Sequence, residues 1–514
     1  MDGTKLSTVK MERLEDSRKS IILYLTIIGA AGLSLRLVYF PYDVPITLDA
    51  VSYFWYAIDT NVLGHFPDNY NFPNTGWPTL LSFFFTVFHS DNFMDYMTLQ
   101  RLISVSVSVS TIIPVYLICR KFFNKQIALL GAAVFVLEPH TVQNSLIGIS
   151  DPLYIFLIAL SFAFLHSNNQ KIVYLSFAMG ALASLTRYEG LLFFGVLTVV
   201  FFTRYRKERR VLAKYAIACS IFIVVLLPSL YLRIQSTGDD GLTSHVVSGV
   251  LVANSIAINE ENGLSQFIIS GSESFIKYLG WIMIPYFVVL VPYGVFLIVK
   301  HRHHRKMSLF LSMIVLSLPA FYAYARQIQE PRYLLVLIPF FSVLSLFLLE
   351  KIWKRDRSYK VILIVILAGI LISSTIFLEL KKIDIEHEKE AYAVAQEVVK
   401  SANVVNSYYP ESKFLKAASI TNKEFPSLSS SVVPPLTVST DGFSYLEEFI
   451  ESNKKSGLTG LIIDNNEQRP DFLKDVYLHE EKYPYLIKTY DSAHYGYGYH
   501  VKIFKIDYEQ FSYK

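Results

Sequence analysis

Cysteine is nearly missing from this chain: its 514 residues include two, Cys119 and Cys219. That supports neither a disulfide framework nor a zinc site built from cysteine pairs. Charge is scarce as well, at 18% of residues with a formal net charge of +4. A balance so near neutral offers no electrostatic footprint for a nucleic acid, so none is expected as a partner. Lysine and arginine are absent from residues 41–100 and again from 235–274. The first of these stretches nevertheless carries Asp43, Asp49, Asp59, Asp68, Asp91 and Asp95. No glycine fingerprint for a nucleotide occurs in the last third of the chain. No small-residue cleavage site follows the first apolar segment, 21–40, which therefore reads as a retained span.

What is present in abundance is apolar surface. Hydrophobic residues make up 52% of the chain, with 38 Phe and 34 Tyr. Runs long enough to cross a bilayer recur at about eleven places. They lie near 21–40, 100–119, 126–144, 150–166, 172–186, 189–203, 212–232, 276–299, 307–324, 333–350 and 360–380. Basic clusters precede the first run and recur at Arg120–Lys125, Arg204–Arg210, Lys300–Lys306 and Lys351–Lys360. If the spans alternate, all of these fall on one side, which the positive-inside rule makes cytoplasmic. The amino terminus is then inside, and the first large loop and the carboxyl terminus are outside. The cluster His301–Lys306 is a basic anchor on this reading, with no metal role. After 380 the pattern becomes that of a small α/β domain, helices alternating with short strands at 404–405, 460–464, 486–491 and 499–506. The division expected is a multi-span α-helical membrane domain, 1–380, and an extracytoplasmic α/β domain, 381–514, read as a lid or docking module.

The first outer loop holds two apolar stretches too short to span, Ile46–Ile58 and Trp77–Phe88. Both read as interfacial helices. In the first, Val51, Phe54, Trp55 and Ile58 share one face, and Asp49, Ser52, Tyr53 and Tyr56 share another. Asp49 is a candidate general base for an acceptor hydroxyl. The plainer alternative is that Thr47 or Asp49 caps the helix. Further candidates stand at predicted span ends. Asp151 lies in Ser150–Asp151–Pro152, where Pro152 suits a first helical turn and Ser150 or Asp151 its cap. Glu138 and His140 sit late in an apolar run, where ionisable groups are expensive and point to function. A histidine satisfied within the core is the competing reading for His140. Few cations occur on the outer side of the membrane part; Arg187, Arg326 and Arg332 all sit at span ends there, and guanidinium groups suit phosphate. Pairing of Arg187 with Glu189 and of Arg332 with Glu330 is the structural alternative. Nothing in the sequence requires a cofactor, although Asp239–Asp240 and Glu260–Glu261 offer oxygen ligands for a divalent cation.

Asp49 before an aromatic helix, followed by Pro73–Asn74–Thr75–Gly76–Trp77–Pro78–Thr79–Leu80–Leu81, resembles the membrane glycosyltransferases of the C fold (GT-C). Within them the likeness is to the protein O-mannosyltransferase and aminoarabinose-transferase branch. Ser150–Asp151–Pro152–Leu153–Tyr154, Thr186–Arg187–Tyr188–Glu189–Gly190 and Pro331–Arg332–Tyr333–Leu334–Leu335 are similar to recurring segments there. The order and spacing of these segments, over most of 20–350, carry the likeness. It implies transfer of a sugar from a polyprenyl-phosphate donor to a protein or lipid acceptor on the outer face of a cell membrane. Two departures stand out. Ala50 follows Asp49 where the protein mannosyltransferases have an Asp-Glu pair, and the Trp-Trp-Asp-Tyr-Gly signature of oligosaccharyltransferases is absent.

The mechanism this implies is a single displacement with inversion. Asp49 takes the acceptor proton, Asp151 orients the acceptor or Asp49, and Arg332 with Arg187 holds the phosphate; Glu189, Tyr53, His140 and Arg326 would complete the substrate site. A lipid-sugar transporter or flippase is the rival from another class. It would show internal repeats and polar groups near the midplane, and neither is evident. A non-catalytic scaffold that binds a partner through the outer domain is a second rival.

Overall fold

The computed structural model describes residues 2–68, 70, 74–244, 247–249, 251, 263–300, 304–355, 359–406 and 410–512. The chain forms two compact units from interleaved stretches. One comprises Met1–Phe40, His65–Leu81 and Arg101–Lys382; the other comprises Pro41–Gly64, Ser82–Gln100 and Ile383–Lys514. Two stretches of the first outer loop, grouped by the sequence reading with the membrane part, thus go with the carboxyl-terminal residues.

The first unit is helical. Among the described residues six helices are long and apolar enough to cross a membrane, or seven if the bent pair Leu264–Met283 and Phe287–Lys300 is one span. Gly76–Val87, Lys125–Val136, Asp151–Leu165 and Gly190–Tyr205 are shorter apolar helices. The chain is therefore a multi-pass membrane protein.

Several runs expected as single spans are broken, each for a local reason. The run 126–144 divides into Lys125–Val136 and Pro139–Ser145. Pro139 has no N–H to continue a helix, and the Glu138 carboxylate caps the restart, accepting from the amides of His140 (3.1 Å) and Thr141 (2.6 Å). The run 276–299 becomes Gly263–Met283 and Phe287–Lys300, bent by 110° with Pro285 in the break. The run 333–350 opens as a 3-10 helix, Pro331–Leu337, before Ile338–Arg355.

A break inside an apolar region strands backbone carbonyls, and Arg36 answers this one. Wholly buried, it donates to the carbonyls of Gly32 and Val136, both at 2.9 Å. It also reaches the hydroxyls of Ser145 at 3.1 Å and Ser108 at 3.0 Å. An arginine amid apolar helices is tolerable when its donors are matched in this way.

The second unit contains a mixed five-stranded sheet. Its strands are β1 (Val404–Asn406), β2 (Leu436–Val438), β3 (Gly460–Asp464), β4 (Leu486–Asp491) and β5 (Val501–Ile506), in the order β2-β1-β3-β5-β4. β1 runs parallel to β2 and β3, whereas β5 is antiparallel to β3 and β4. Alternation along the strands feeds two cores. Ile462, Val501 and Ile503 meet Ala391, Val394, Ala395 and Val398 of the helix Ile385–Ser401. Leu461, Ile463, Phe504 and Ile506 meet Phe449 and Ile450 of Leu446–Lys454 and Phe472 and Leu473 of Asp471–Leu478. β2 is not among the strands expected from the sequence; three residues, two of them exposed, leave no alternating signature.

The helix Asp49–Leu63 belongs to this unit, and its surroundings differ from those of the expected interfacial helix. Ala50, Val51, Phe54, Trp55, Tyr56, Ala57, Ile58 and Asp59 are all buried, so Tyr56 leaves the exposed polar face assigned to it. Asp59 accepts from the Ser429 amide at 3.0 Å and from the Ser429 hydroxyl. Phe425 stacks on Tyr96 at 4.6 Å and meets Phe93 edge-on at 5.1 Å. One face of the helix is thus packed in a protein core, while Asp49, Val62 and Leu63 stay exposed.

Asp59→Ala removes the acceptor of a Ser429 amide and hydroxyl and is expected to cost about 1–3 kcal/mol. Thermal unfolding of the detergent-solubilised protein should show a lowered midpoint, with Asp59→Asn falling less.

Candidate active site

Four helix termini of the first unit bring their charged residues together. Asp151 is the first residue of Asp151–Leu165, where a carboxylate complements the partial positive charge of the helix end. Arg187 ends Gln170–Thr186 and Glu189 precedes Gly190–Tyr205, so a three-residue link joins those helices. Arg332 lies in the 3-10 turn Pro331–Leu337. With Tyr154, Ile155, Leu316, Pro319, Tyr333 and Val336 they line a recess of about 300 Å³.

Arg187 is the centre of this arrangement. Its Nη2 donates to Glu189 Oε1 at 2.8 Å and its Nε to Glu189 Oε2 at 3.4 Å, a forked pair. Its Nη1 donates to Asp151 Oδ1 at 2.5 Å. The guanidinium also sits over the rings of Tyr333 (5.3 Å) and Tyr154 (5.9 Å). Arg332 Nε lies 3.9 Å from Glu330 Oε2. Arg187 orders the two carboxylates around it.

The Thr186–Arg187–Tyr188–Glu189–Gly190 segment has a steric cause. A Cβ on Gly190 would stand 2.7 Å from the Ser184 amide nitrogen, so only glycine lets the second helix start that close to the first. The link is braced from outside by Asn74, whose Oδ1 accepts from the Tyr188 amide at 3.2 Å. Gly76 lies against the same turn, where an added Cβ would be 2.8 Å from the Thr186 amide nitrogen. Trp77, fully buried, donates to the Gly148 carbonyl at 3.3 Å, just ahead of Asp151. The Asn74–Trp77 segment thus fixes both chain segments that carry Asp151 and Arg187.

The other expected site residues are placed differently. His140 is buried, its Nδ1 2.7 Å from Glu138 Oε1 and its ring against Phe377 and Trp281, and it does not line the recess. With Glu138 it forms a helix start, which is the core reading weighed for it from the sequence. Arg326 is exposed, stacked over Tyr322 at 5.8 Å, and is no part of the recess either. Asp151, expected to orient an acceptor or Asp49, instead holds Arg187. Ser150 stands at the N-cap position but makes no side-chain cap hydrogen bond. Tyr154 and Tyr333 were missed as site residues, although Tyr154 follows Asp151 at i+3 and Tyr333 adjoins Arg332.

Asp49 and Tyr53 belong to the second unit. Asp49 is exposed and opens its helix, and Tyr53 is half-buried one turn on. Capping by Thr47 or Asp49 does not occur; the N-cap is Leu48, with φ 52° and no side-chain cap bond. A non-glycine residue at positive φ is strained, and such strain gathers at functional positions. Among the described residues no group of three or more His, Cys, Asp or Glu could hold a metal ion. Asp239 and Asp240 accept from the amides of Gly241, Leu242 and Thr243, as turn residues do. Glu260 and Glu261 lie outside the described residues.

A family model described as dolichyl-phosphate-mannose-protein mannosyltransferase matches residues 76–232. That stretch includes Gly76, Trp77, Asp151, Arg187 and Glu189. Among solved structures, ArnT from Cupriavidus metallidurans, bound to undecaprenyl phosphate, superposes with a TM-score of 0.54 at 12% identity. The match covers 93% of this chain and 98% of ArnT. This is the GT-C fold. The archaeal oligosaccharyltransferase AglB from Archaeoglobus fulgidus, in complex with an inhibitory peptide and a dolichol-phosphate, gives a TM-score of 0.56 at 11% identity, over 92% of this chain and 73% of AglB. No curated protein matches the chain by sequence. The resemblance to C-fold membrane glycosyltransferases, read from short segments, thus stands at the level of the whole fold.

Gly76→Ala should push the Thr186–Glu189 link away from Asp151. We expect impaired folding or, in protein that does fold, loosened Arg187 pairing, seen as faster hydrogen exchange at residues 186–190; Gly195→Ala, with open space around it, is the control.

Proposed function

We propose that this protein is a membrane glycosyltransferase that moves a sugar from a polyprenyl-phosphate carrier to a hydroxyl, or an amine, of a protein or lipid acceptor. The observation that carries this reading is the recess lined by Asp151, Arg187, Glu189 and Arg332 at helix ends, on a fold shared with ArnT over nearly the whole of both chains. A lipid phosphate leaving group needs cationic stabilisation and little covalent help. Arg332 supplies it, with Arg187 holding the recess in shape. An acceptor oxygen needs a base, and Asp49 is an exposed carboxylate beside a strained residue, able to accept that proton. Attack opposite the departing phosphate inverts the anomeric carbon.

Eleven spans, a cytoplasmic amino terminus and an outer carboxyl-terminal domain complete the reading, supported by the distribution of Lys and Arg. The charge needed comes from the protein's own side chains, so turnover should survive EDTA.

Transfer from a panel of radiolabelled polyprenyl-phosphate hexoses and pentoses to cell-extract acceptors tests the proposal. Asp49→Asn should lower kcat by a factor of about 10²–10⁴ and leave donor binding in place. Arg332→Gln should instead weaken donor binding. Full turnover by Asp49→Asn would falsify the assignment of the base. Donor binding without transfer, in wild type and variant alike, points to a carrier.

A further inference from the structure

We propose that Lys416 is a positioning residue for Asp49, supplied by the carboxyl-terminal part of the second unit. The proposal rests on the reading of Asp49 as the base, and it gives chemistry to a domain that the sequence marked only as a lid or docking module.

Lys416 lies on the helix Leu415–Thr421, whose Leu415, Ala417, Ala418 and Ile420 are buried, so the helix is fixed in the core. Its Nζ donates to Ser52 Oγ at 3.1 Å. Ser52 follows Asp49 by three residues, which places the two side chains on one face of their helix. An ammonium is thereby held within one helical turn of the carboxylate. The neighbouring charges are engaged elsewhere. Lys389, on Ile385–Ser401, lies 3.6 Å from both Asp43 and Glu386, and Lys413 pairs with Glu388 at 2.6 Å. Asp59, toward the far end of the Asp49 helix, is bound by Ser429, and Asp95 accepts from the Ser90 hydroxyl at 2.5 Å.

Asp49 is exposed at a helix start, and only some rotamers of such a carboxylate aim a lone pair at an acceptor hydroxyl. A fixed cation beside it narrows that choice, so the contribution falls on the chemical step and spares donor binding. Partial burial lowers the Lys416 pKa from the usual lysine value, opposed by the charge of Asp49. The sign follows: Lys416 gives up its proton at lower pH than an ordinary lysine, so its help is lost on the alkaline side. Arginine in its place keeps its proton there.

The experiment measures kcat, donor KM and the pH dependence of kcat for wild type, Lys416→Met, Lys416→Arg and Asp49→Asn in detergent, using whichever polyprenyl-phosphate sugar gives transfer. Lys416→Met should lower kcat about tenfold, less than the loss of about 10²–10⁴ for the acid-base group it positions, with KM changed less than about twofold. Lys416→Arg should retain most of kcat and extend the alkaline limb to higher pH. A Met variant with wild-type kcat and pH profile overturns the proposal. So does an Arg variant as slow as the Met variant at an unchanged thermal midpoint. If Asp49→Asn is inactive while Lys416→Met is fully active, only the role of Lys416 falls. If Asp49→Asn is fully active, the base reading falls first and takes this one with it.

Discussion

Everything at the candidate site depends on one guanidinium. Arg187 stands between Asp151 and Glu189, carried by three different helix ends, and without it two buried carboxylates would face each other with no cation between them. Removing one partner of such a buried cluster costs far more than the cluster itself contributes. This explains why so much of the local structure serves its placement: Gly190 for the close helix start, Asn74 for the link, and Gly76 and Trp77 for the packing on either side.

A second dependence runs through Asp59. By bonding to Ser429 it ties the Asp49 helix to the residues after 383; Lys416 adds a bond to Ser52 of that helix, and Phe425 packs on Phe93 and Tyr96. The carboxyl-terminal α/β part therefore shares a core with residues of 41–64 and 82–100.

Much of this was legible in the sequence. Long apolar runs and the alternating patterns at 460–464, 486–491 and 499–506 lead to helices and strands close to those observed. Asp151, Arg187, Glu189 and Arg332 were also legible as a set, because ionisable groups at the ends of apolar helices are rare and expensive. What misled was treating each apolar run as one straight helix. Pro139 and Pro285 break two of them, and Arg36, hidden in the first span, absorbs the consequence of one break. His140 and Arg326 have the same composition signal as the true recess residues. Only their neighbours, Glu138 and Phe377 for one and Tyr322 for the other, set them apart.

The sequence by itself determined the class of molecule: a multi-pass helical part, a small α/β part, and a short roster of charged residues at helix ends. Those follow from hydrophobicity, charge asymmetry and turn chemistry, all of which act locally along the chain. Tertiary structure decided which charges pair, that Arg187 is held by both Asp151 and Glu189, and that one face of the Asp49 helix packs in a protein core near Lys416. Pairings between residues up to several hundred positions apart are set by packing and by the need to satisfy every buried polar group, and no local pattern records them.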